Sequence, residues 1–320
     1  MRTIVTQHGK ILRNIMSSSL DFRTEFEPRY GEAAEIGENI RRITAPNRSA
    51  FTFKGTNTYL LGRNEELAVI DPGPAGESEH LEAILKAAGS VPITKIIVTH
   101  THMDHSPLAA DLKRETGAAI YGAGPHRAAR DLHLGERNEL DSSVDKDFQP
   151  DIQIRHGDRI AVDGVELEAV HTPGHTGNHM AFALIDSPYL FSGDHVMSWA
   201  TTIVAPPDGN MSAYMRSLDI LLKRGETAYL PGHGGQLNRA REFVRGLRAH
   251  RRMRETAILH RIRKGDETIP EIVSVIYKDT DRRLHGAAAL SVFAHIEDLT
   301  NKGAVLCEGA PSLESRYRPA

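Results

Sequence analysis

Cysteine is nearly absent from this chain: Cys307 is the single one among 320 residues. No internal disulfide can form and the cysteine-rich zinc modules are excluded, which points to a reducing compartment or to indifference to redox state. No stretch of about 18 or more consecutive apolar residues occurs, so no transmembrane helix is available and no membrane partner is expected. A strong charge of either sign is lacking too, with Lys+Arg 39 against Asp+Glu 42 and a net charge of −3. The molecule as a whole is no polycation, and any nucleic-acid contact must use a local basic patch. The first 20 residues hold Arg2, Lys10 and Arg13 but no acidic residue and no continuous apolar segment. They read as part of a partly disordered leader over 1–35, with a cytoplasmic location expected and organelle targeting through the leader as the alternative. What is present is an ordinary hydrophobic content of 40%, which excludes disorder throughout, and an unusual supply of histidine, 17 in all.

From about residue 36 short apolar runs alternate with amphipathic stretches, the pattern of an α/β protein. Leu67 to Ile70 reads as a buried strand closed by Asp71-Pro72-Gly73, with a helix following at about 77–88. Lys95 to Thr99 is a second buried strand running into a histidine cluster, and 107–116 reads as helical. Between Ile160 and Val170, Asp163-Gly164 is a dipeptide suited to a two-residue hairpin turn, so antiparallel pairing is expected as well. Further strands at 180–185, 189–192 and 227–230 and a helix at 211–224 complete a main domain over 36–240. Residues 241–265 read as a basic connecting helix. Thr268-Ile269-Pro270-Glu271 is a capped helix start; with helices near 271–278 and 286–302 and a short Val305-Leu306 strand it describes a winged-helix-like module over 266–310, followed by a loose tail at 311–320.

The strongest local signal is Thr99-His100-Thr101-His102-Met103-Asp104-His105. His100 and His102 are two apart, so an extended backbone leaving a strand presents both imidazoles to the same side, while the following turn swings Asp104 and His105 towards a second point. Two metal sites fit that spacing, and imidazole and carboxylate suit zinc, iron or manganese. The cluster also sits at a strand end, where α/β proteins place active sites. Three more segments end strands with a glycine directly before a candidate ligand: Gly174-His175, Gly193-Asp194 and Gly232-His233. Glycine allows the tight turn and the close approach such a position needs.

Taken in order, His-x-His-x-Asp-His, Gly-His, Gly-Asp and Gly-His resemble the metallo-β-lactamase superfamily of hydrolases over about residues 50–240. The resemblance implies an αββα sandwich with the metals at one edge of two packed sheets, and two divalent ions, zinc ahead of iron or manganese. It implies His100, His102 and His175 around the first ion, Asp104, His105 and His233 around the second, and Asp194 bridging both. Two such ions share a water, lower its pKa and deliver hydroxide at neutral pH, so the reaction class is hydrolysis. Asp104 enters catalysis through this centre. His179 and His195, beside the metal-binding segments, are candidate proton donors to the leaving group or, alternatively, groups that orient a ligand. Gly55 to Tyr59 and Asp71-Pro72-Gly73 also look like the superfamily's early strands and turns and are read as fold elements.

Within the superfamily, antibiotic hydrolysis fits least, because one lactamase class needs a cysteine ligand and the lactamases generally lack an aspartate like Asp194. Nucleases with a large domain inserted between the later ligands fit poorly, since only 57 residues separate His175 from His233. Glyoxalase II-like thioesterases and compact endoribonuclease-like members share the full ligand set. Arg239 to Lys264 carries an excess of eight positive charges, which favours a phosphodiester partner with Arg251 and Arg252 as contacts. Ala287 to His295 and Leu299 to Leu306 resemble the winged-helix tail of the endoribonuclease branch. The expectation is a dinuclear hydrolase acting on single-stranded RNA, with a small thioester as the alternative substrate and a mono-iron sulfur dioxygenase behind it. Trp199, in a loop rich in proline and glycine, is the candidate to stack on a base or to line an acyl pocket.

Overall fold

A computed structural model of the chain describes residues 20–134 and 136–320, and the apolar runs of the sequence are strands of two facing sheets. The first sheet has seven strands, β1 (Ala34–Gly37), β2 (Ile40–Thr44), β3 (Asn57–Leu61), β4 (Leu67–Ile70), β5 (Ile93–Ile97), β6 (Ala119–Gly122) and β7 (Ile152–Gln153), each beside the next. Pairing is antiparallel from β1 to β4 and parallel from β4 to β7. The parallel steps need crossovers, which helices α1 (Ser78–Ala88) and α2 (Leu108–Thr116) supply. The second sheet runs β8 (Arg159–Val162), β9 (Val165–His171), β10 (Met180–Leu184), β11 (Tyr189–Gly193), β12 (Ala228–Pro231) and β13 (Leu237–Asn238). The β8–β9 turn is the one read from the sequence, with positive φ at both Asp163 and Gly164. The one parallel pair here, β11 with β12, is joined through α3 (Met211–Leu222).

Side-chain alternation explains the layering. Ala68 and Ile70 of β4 face the second sheet, where Ala169, Phe182 and Phe191 meet them, while Leu67 and Val69 face Ile84 of α1 and Leu112 of α2. On the far side Val170, Ala181 and Leu190 pack against Tyr214 and Leu218 of α3 and against Val244 and Leu247 of α4 (Ala240–Arg263). Each fully buried side chain of this kind contributes about 1.5–3 kcal/mol. The result is an αββα sandwich whose inner core lies between the sheets.

Helix α4 outruns the sandwich. Its distal Ile258 and Ile262 join α5 (Ile269–Ile276), α6 (His285–Asn301) and the hairpin of β14 (Val305–Cys307) with β15 (Tyr317–Pro319) in a separate core that makes the C-terminal winged-helix domain. Glu271 reaches back to the Thr268 backbone N at 2.9 Å, closing the capping box at the start of α5. The expected loose tail at 311–320 is corrected here: Tyr317 is 1% exposed, and β15 pairs with β14 as half of the wing. Of the expected leader, residues 1–19 lie outside the described residues; most of 20–35 is exposed but anchored, with Phe22 edge-on to Phe243 and Arg42 over the ring of the buried Phe26. Among the described residues no helix is long and apolar enough to cross a membrane.

Candidate metal centre

Four strand ends deliver the candidate ligands to one place. The loop after β5 carries His100, His102, Asp104 and His105, and the turns after β9, β11 and β12 carry His175, Asp194 and His233. His102 Nδ1 stands 3.1 Å from His100 Nε2 and 3.0 Å from His175 Nε2. Asp104 Oδ2 lies 3.1 Å from His233 Nε2 and 3.4 Å from His105 Nε2. Asp194 reaches both groups, with Oδ2 3.3 Å from His233 Nε2 and 3.8 Å from His175 Nε2, and Oδ1 3.5 Å from His105 Nε2. Within each trio, His100, His102 and His175 or Asp104, His105 and His233, one ligand atom per residue lies within 4.8 Å of the others.

The rings are held from behind. His175 Nδ1 donates to Ile203 O at 2.7 Å and His233 Nδ1 to Gly55 O at 3.2 Å, so each turns an Nε2 lone pair inward. Asp71 is the hub of the remaining contacts. Its carboxylate accepts from Thr99 N at 2.8 Å, from Thr99 Oγ1 at 2.7 Å and from His105 Nδ1 at 2.9 Å. Because Thr99 Oγ1 spends its one proton on Asp71, it accepts from His100 Nδ1 at 3.0 Å, and His100 Nε2 is left as a lone pair too. Asp71, read from the sequence as part of a turn, therefore sets two rings of the centre. Asn57 has a similar role, holding the His233 loop through bonds to Pro231 O at 3.0 Å and Gly234 O at 2.8 Å.

These atoms fit divalent cations. His100 and His175 present lone pairs across a gap shared with His102 Nδ1, and the buried Asp194 Oδ1 has no hydrogen bond, an arrangement that a bound cation completes. Burial and the neighbouring imidazoles push His100 well below the usual histidine range, and His102 down to about 3, so the first trio is neutral and ready to ligate. At the second trio burial opposes charge but is outweighed. Despite burial, the imidazoles of His105 and His233 hold Asp104 and Asp194 well below the carboxylate range, and the same carboxylates raise His233 to about 9. This spot attracts a cation, and metal binding there competes with protons.

The glycines before the ligands have distinct reasons. Gly174 has φ +141 and abuts the backbone of Tyr214, so only glycine fits that turn. A Cβ on Gly232 would collide with Asp194 Oδ1 and lie 2.6 Å from His105 Cε1, so here the need is close approach.

The centre opens on a cavity of about 330 Å³ whose other walls are Phe51, Met103, Leu140, Met197, Ile203 and the polar residues Ser49, Thr52, Ser142 and Ser143. No lysine or arginine lines it. These walls come from four separate segments; the loop from Trp199 supplies Ile203 and Met103 is set between ligands, while the other walls carried no sequence signal.

For the remaining candidates, geometry favours the ligand-orienting role of His179 over that of a proton donor and places the others outside the cavity over the ligands. His179 is fully buried, accepts from Asp194 N at 3.1 Å through Nε2 and donates to Thr172 Oγ1 at 2.9 Å through Nδ1, so it positions Asp194 and has no proton to offer a leaving group. His195 is buried against Tyr214 with neither nitrogen bonded, and burial holds it down to about 3; it does not face the cavity. Arg251 is only 3% exposed and donates to Ser291 Oγ at 3.2 Å and to Thr202 O, so it ties helices and loop together and is not on the surface where it could meet a nucleic-acid backbone. Arg252 is exposed on α4, away from the cavity walls. Trp199 stacks on Phe53 with centroids 4.8 Å apart and lines a neighbouring cavity, not the one over the metal ligands.

A His/Asp cluster of this kind at the strand ends of an αββα sandwich defines a metal-dependent hydrolase. Residues 51–233 match the metallo-beta-lactamase superfamily and residues 268–311 the beta-lactamase associated winged helix domain; the chain belongs to the metallo-β-lactamase superfamily. A beta-lactamase-like protein 2 homolog of Drosophila melanogaster is 30% identical over 278 residues, covering 84% of this chain and 90% of that protein. An atrochrysone carboxyl ACP thioesterase of Aspergillus chevalieri is 28% identical over 263 residues, covering 78% of this chain and 77% of its own. The fold is shared with a beta-lactamase domain protein from Burkholderia ambifaria, at TM-score 0.78 and 23% identity over 94% of this chain and 97% of the other.

Proposed function

We propose that this chain hydrolyses a thioester of modest size. In this reading His100, His102 and His175 hold one divalent ion, Asp104, His105 and His233 the second, and Asp194 lies between them, with zinc the ion that this donor set suits. Two ions so held supply a water of lowered pKa and a Lewis acid for the scissile carbonyl. The chain's own residues do the rest: Asp71 and Thr99 fix the rings, and Phe51, Met103, Leu140, Met197 and Ile203 bind the apolar part of the substrate and keep bulk water out.

The observation that carries the proposal is the composition of the cavity wall. Beyond the candidate ligands themselves it holds no titratable side chain and no positive charge. Hydrolysis joins a water oxygen to the carbonyl carbon and breaks the C–S bond, and a sulfur leaving group departs as a thiolate, whose conjugate acid has a pKa of only about 8.5. It needs no general acid. An RNA alkoxide, of much higher pKa, leaves less readily and draws on a proton donor or on the metal ions themselves, and a phosphodiester backbone is bound by side-chain cations that this wall lacks. The ACP thioesterase relatives, 28% identical over most of both chains, support the same reading. A second reading, cleavage of single-stranded RNA, is favoured by the exposed Arg241, Arg245, Arg252 and Arg263 of α4.

The test is thiol release from a series of acyl-pantetheine thioesters by the zinc-loaded protein, run beside end-labelled single-stranded RNA and beside Asp104→Ala. Thiol release by the wild type alone is expected. RNA cleavage that needs Asp104, without thiol release, would replace the first reading with the second.

A further inference from the structure

A second cavity, of about 380 Å³, lies where the sandwich meets the winged-helix domain, and it shares Phe51, Met197 and Ile203 with the cavity over the candidate ligands. Its other walls include Trp199, Thr202, His250, Arg251, Arg254 and Tyr277. Several arginines of the basic stretch are paired, Arg239 with Glu242, Arg248 with Asp219 and Arg261 with Asp266, or stand in solvent. Arg251 and Arg254 do neither. Both line this cavity, and among the described residues neither has a carboxylate in ion-pair reach; Arg254 has only Ile276 O at 3.5 Å and the face of Tyr277 at 4.5 Å.

Three further polar atoms of lining residues are buried without a hydrogen-bond partner: Arg251 Nε, Trp199 Nε1 and His250 Nδ1. The first two are donors, and the third becomes one when its ring carries the proton there. Burial and the two arginines hold His250 down to about 4, so it offers that proton without adding charge at neutral pH. A donor-rich, positively charged cavity with no carboxylate of its own is costly to keep unless something completes it.

We infer that this cavity binds an anionic group, a carboxylate or phosphate, on one arm of the substrate, with Arg254 the principal contact and Arg251 its support. The anion site stands on its own observations; only the word thioester rests on the proposed function. Thr202 gives the connection to the reacting end, since its Oγ1 donates to Asp194 O at 2.6 Å while its own carbonyl accepts from Arg251. A molecule whose scissile carbonyl sits at Asp104 and Asp194 thus needs to pass only the shared Phe51–Met197–Ile203 wall to place its anion beside Arg254. The two sources of the anion differ in arm: a phosphate belongs to a pantetheine-type thiol carrier, and a carboxylate to the acyl part.

Binding is measured by calorimetry with non-hydrolysable thioether analogues on the zinc-loaded protein: S-alkyl pantetheine, its 4′-phosphate, and an S-alkyl analogue ending in a carboxylate. One of the two anionic probes is expected to bind about tenfold tighter than the neutral one, the scale of a charge-assisted hydrogen-bonded pair. Arg254→Gln should abolish that advantage, and Arg254→Lys, which keeps the charge, should retain part of it. An advantage that persists in Arg254→Gln belongs to the metal ions and overturns the inference, as does equal binding of all three probes by the wild type. Arg254-dependent binding without turnover of the matching thioesters would uphold the anion site and sink the thioesterase reading, whereas turnover without discrimination would do the reverse.

Discussion

Two regions of this molecule concentrate ionisable side chains in the sequence, the histidine segment after β5 and the arginine-rich helix α4, and they have opposite fates in the fold. The first converges. Four strand ends bring a loop and three turns to one edge, where seven side chains face one another across a few ångströms. The second disperses, because a helix turns successive side chains about 100° apart: Arg248 pairs with Asp219, Arg261 with Asp266, Arg251 is buried, and Arg252 faces solvent. Density of charge in sequence does not make a site; the topology that points the groups at one spot does.

Removing a convergent residue and a dispersed one in parallel separates the two regions. Asp194→Ala takes away the side chain that touches both trios, so metal content should fall from about two ions per chain and turnover should drop more than roughly a hundredfold, beyond the range for a residue that only supports a ligand. Elemental analysis and kinetics on the same samples check it; full metal content would show that the two trios do not depend on Asp194. Asp71→Asn keeps the ligands but loosens the support of His105 and His100, and should weaken metal binding about 10–100-fold by competition with a chelating dye. Unchanged affinity would return Asp71 to a turn residue.

Tyr317→Ala, in the wing, should cost about 3–5 kcal/mol in the stability of the C-terminal domain, read as an earlier melting transition, while metal affinity of the sandwich stays within about twofold. A smaller effect is expected with pH. The His250 pKa, about 4 when folded against 6.5 in the unfolded chain, is depressed, so the stability it contributes is full above pH 6.5 and is lost as the pH falls from 6.5 towards 4. His250→Gln should therefore flatten part of the fall in melting temperature over that window; an identical pH profile would place the effect elsewhere. The smallest change belongs to Arg252→Glu, which should alter thioester turnover by less than about twofold, as surface substitutions do.

Much of the fold was legible because its strands are short apolar runs punctuated by glycine, proline and aspartate, and the candidate ligands were legible because rare side chains recur after those runs behind glycines. Other features left weaker traces. Strand β15 spans only Tyr317–Pro319, too few residues for a period to emerge, and its place comes from pairing with Val305–Cys307. Asp71 sits in an Asp-Pro-Gly turn whose local chemistry hides its reach to Thr99 and His105. The burial of Arg251 did have a signal: it stands four residues after Leu247 and seven before Ile258, on the stripe that those residues bury. Reading its charge before its spacing put it on the wrong face.

In the proposed reading the convergent histidines and aspartates make a metal centre for a leaving group that needs no proton donor. Its most direct test is to strip the wild-type protein with a chelator, restore zinc in steps, and follow bound metal and thiol release from one acyl thioester together. Release is expected to be absent in the stripped protein and to rise with occupancy to about two ions per chain. Undiminished thiol release from the metal-free protein, or zinc-filled protein that releases no thiol from any thioester, would contradict it.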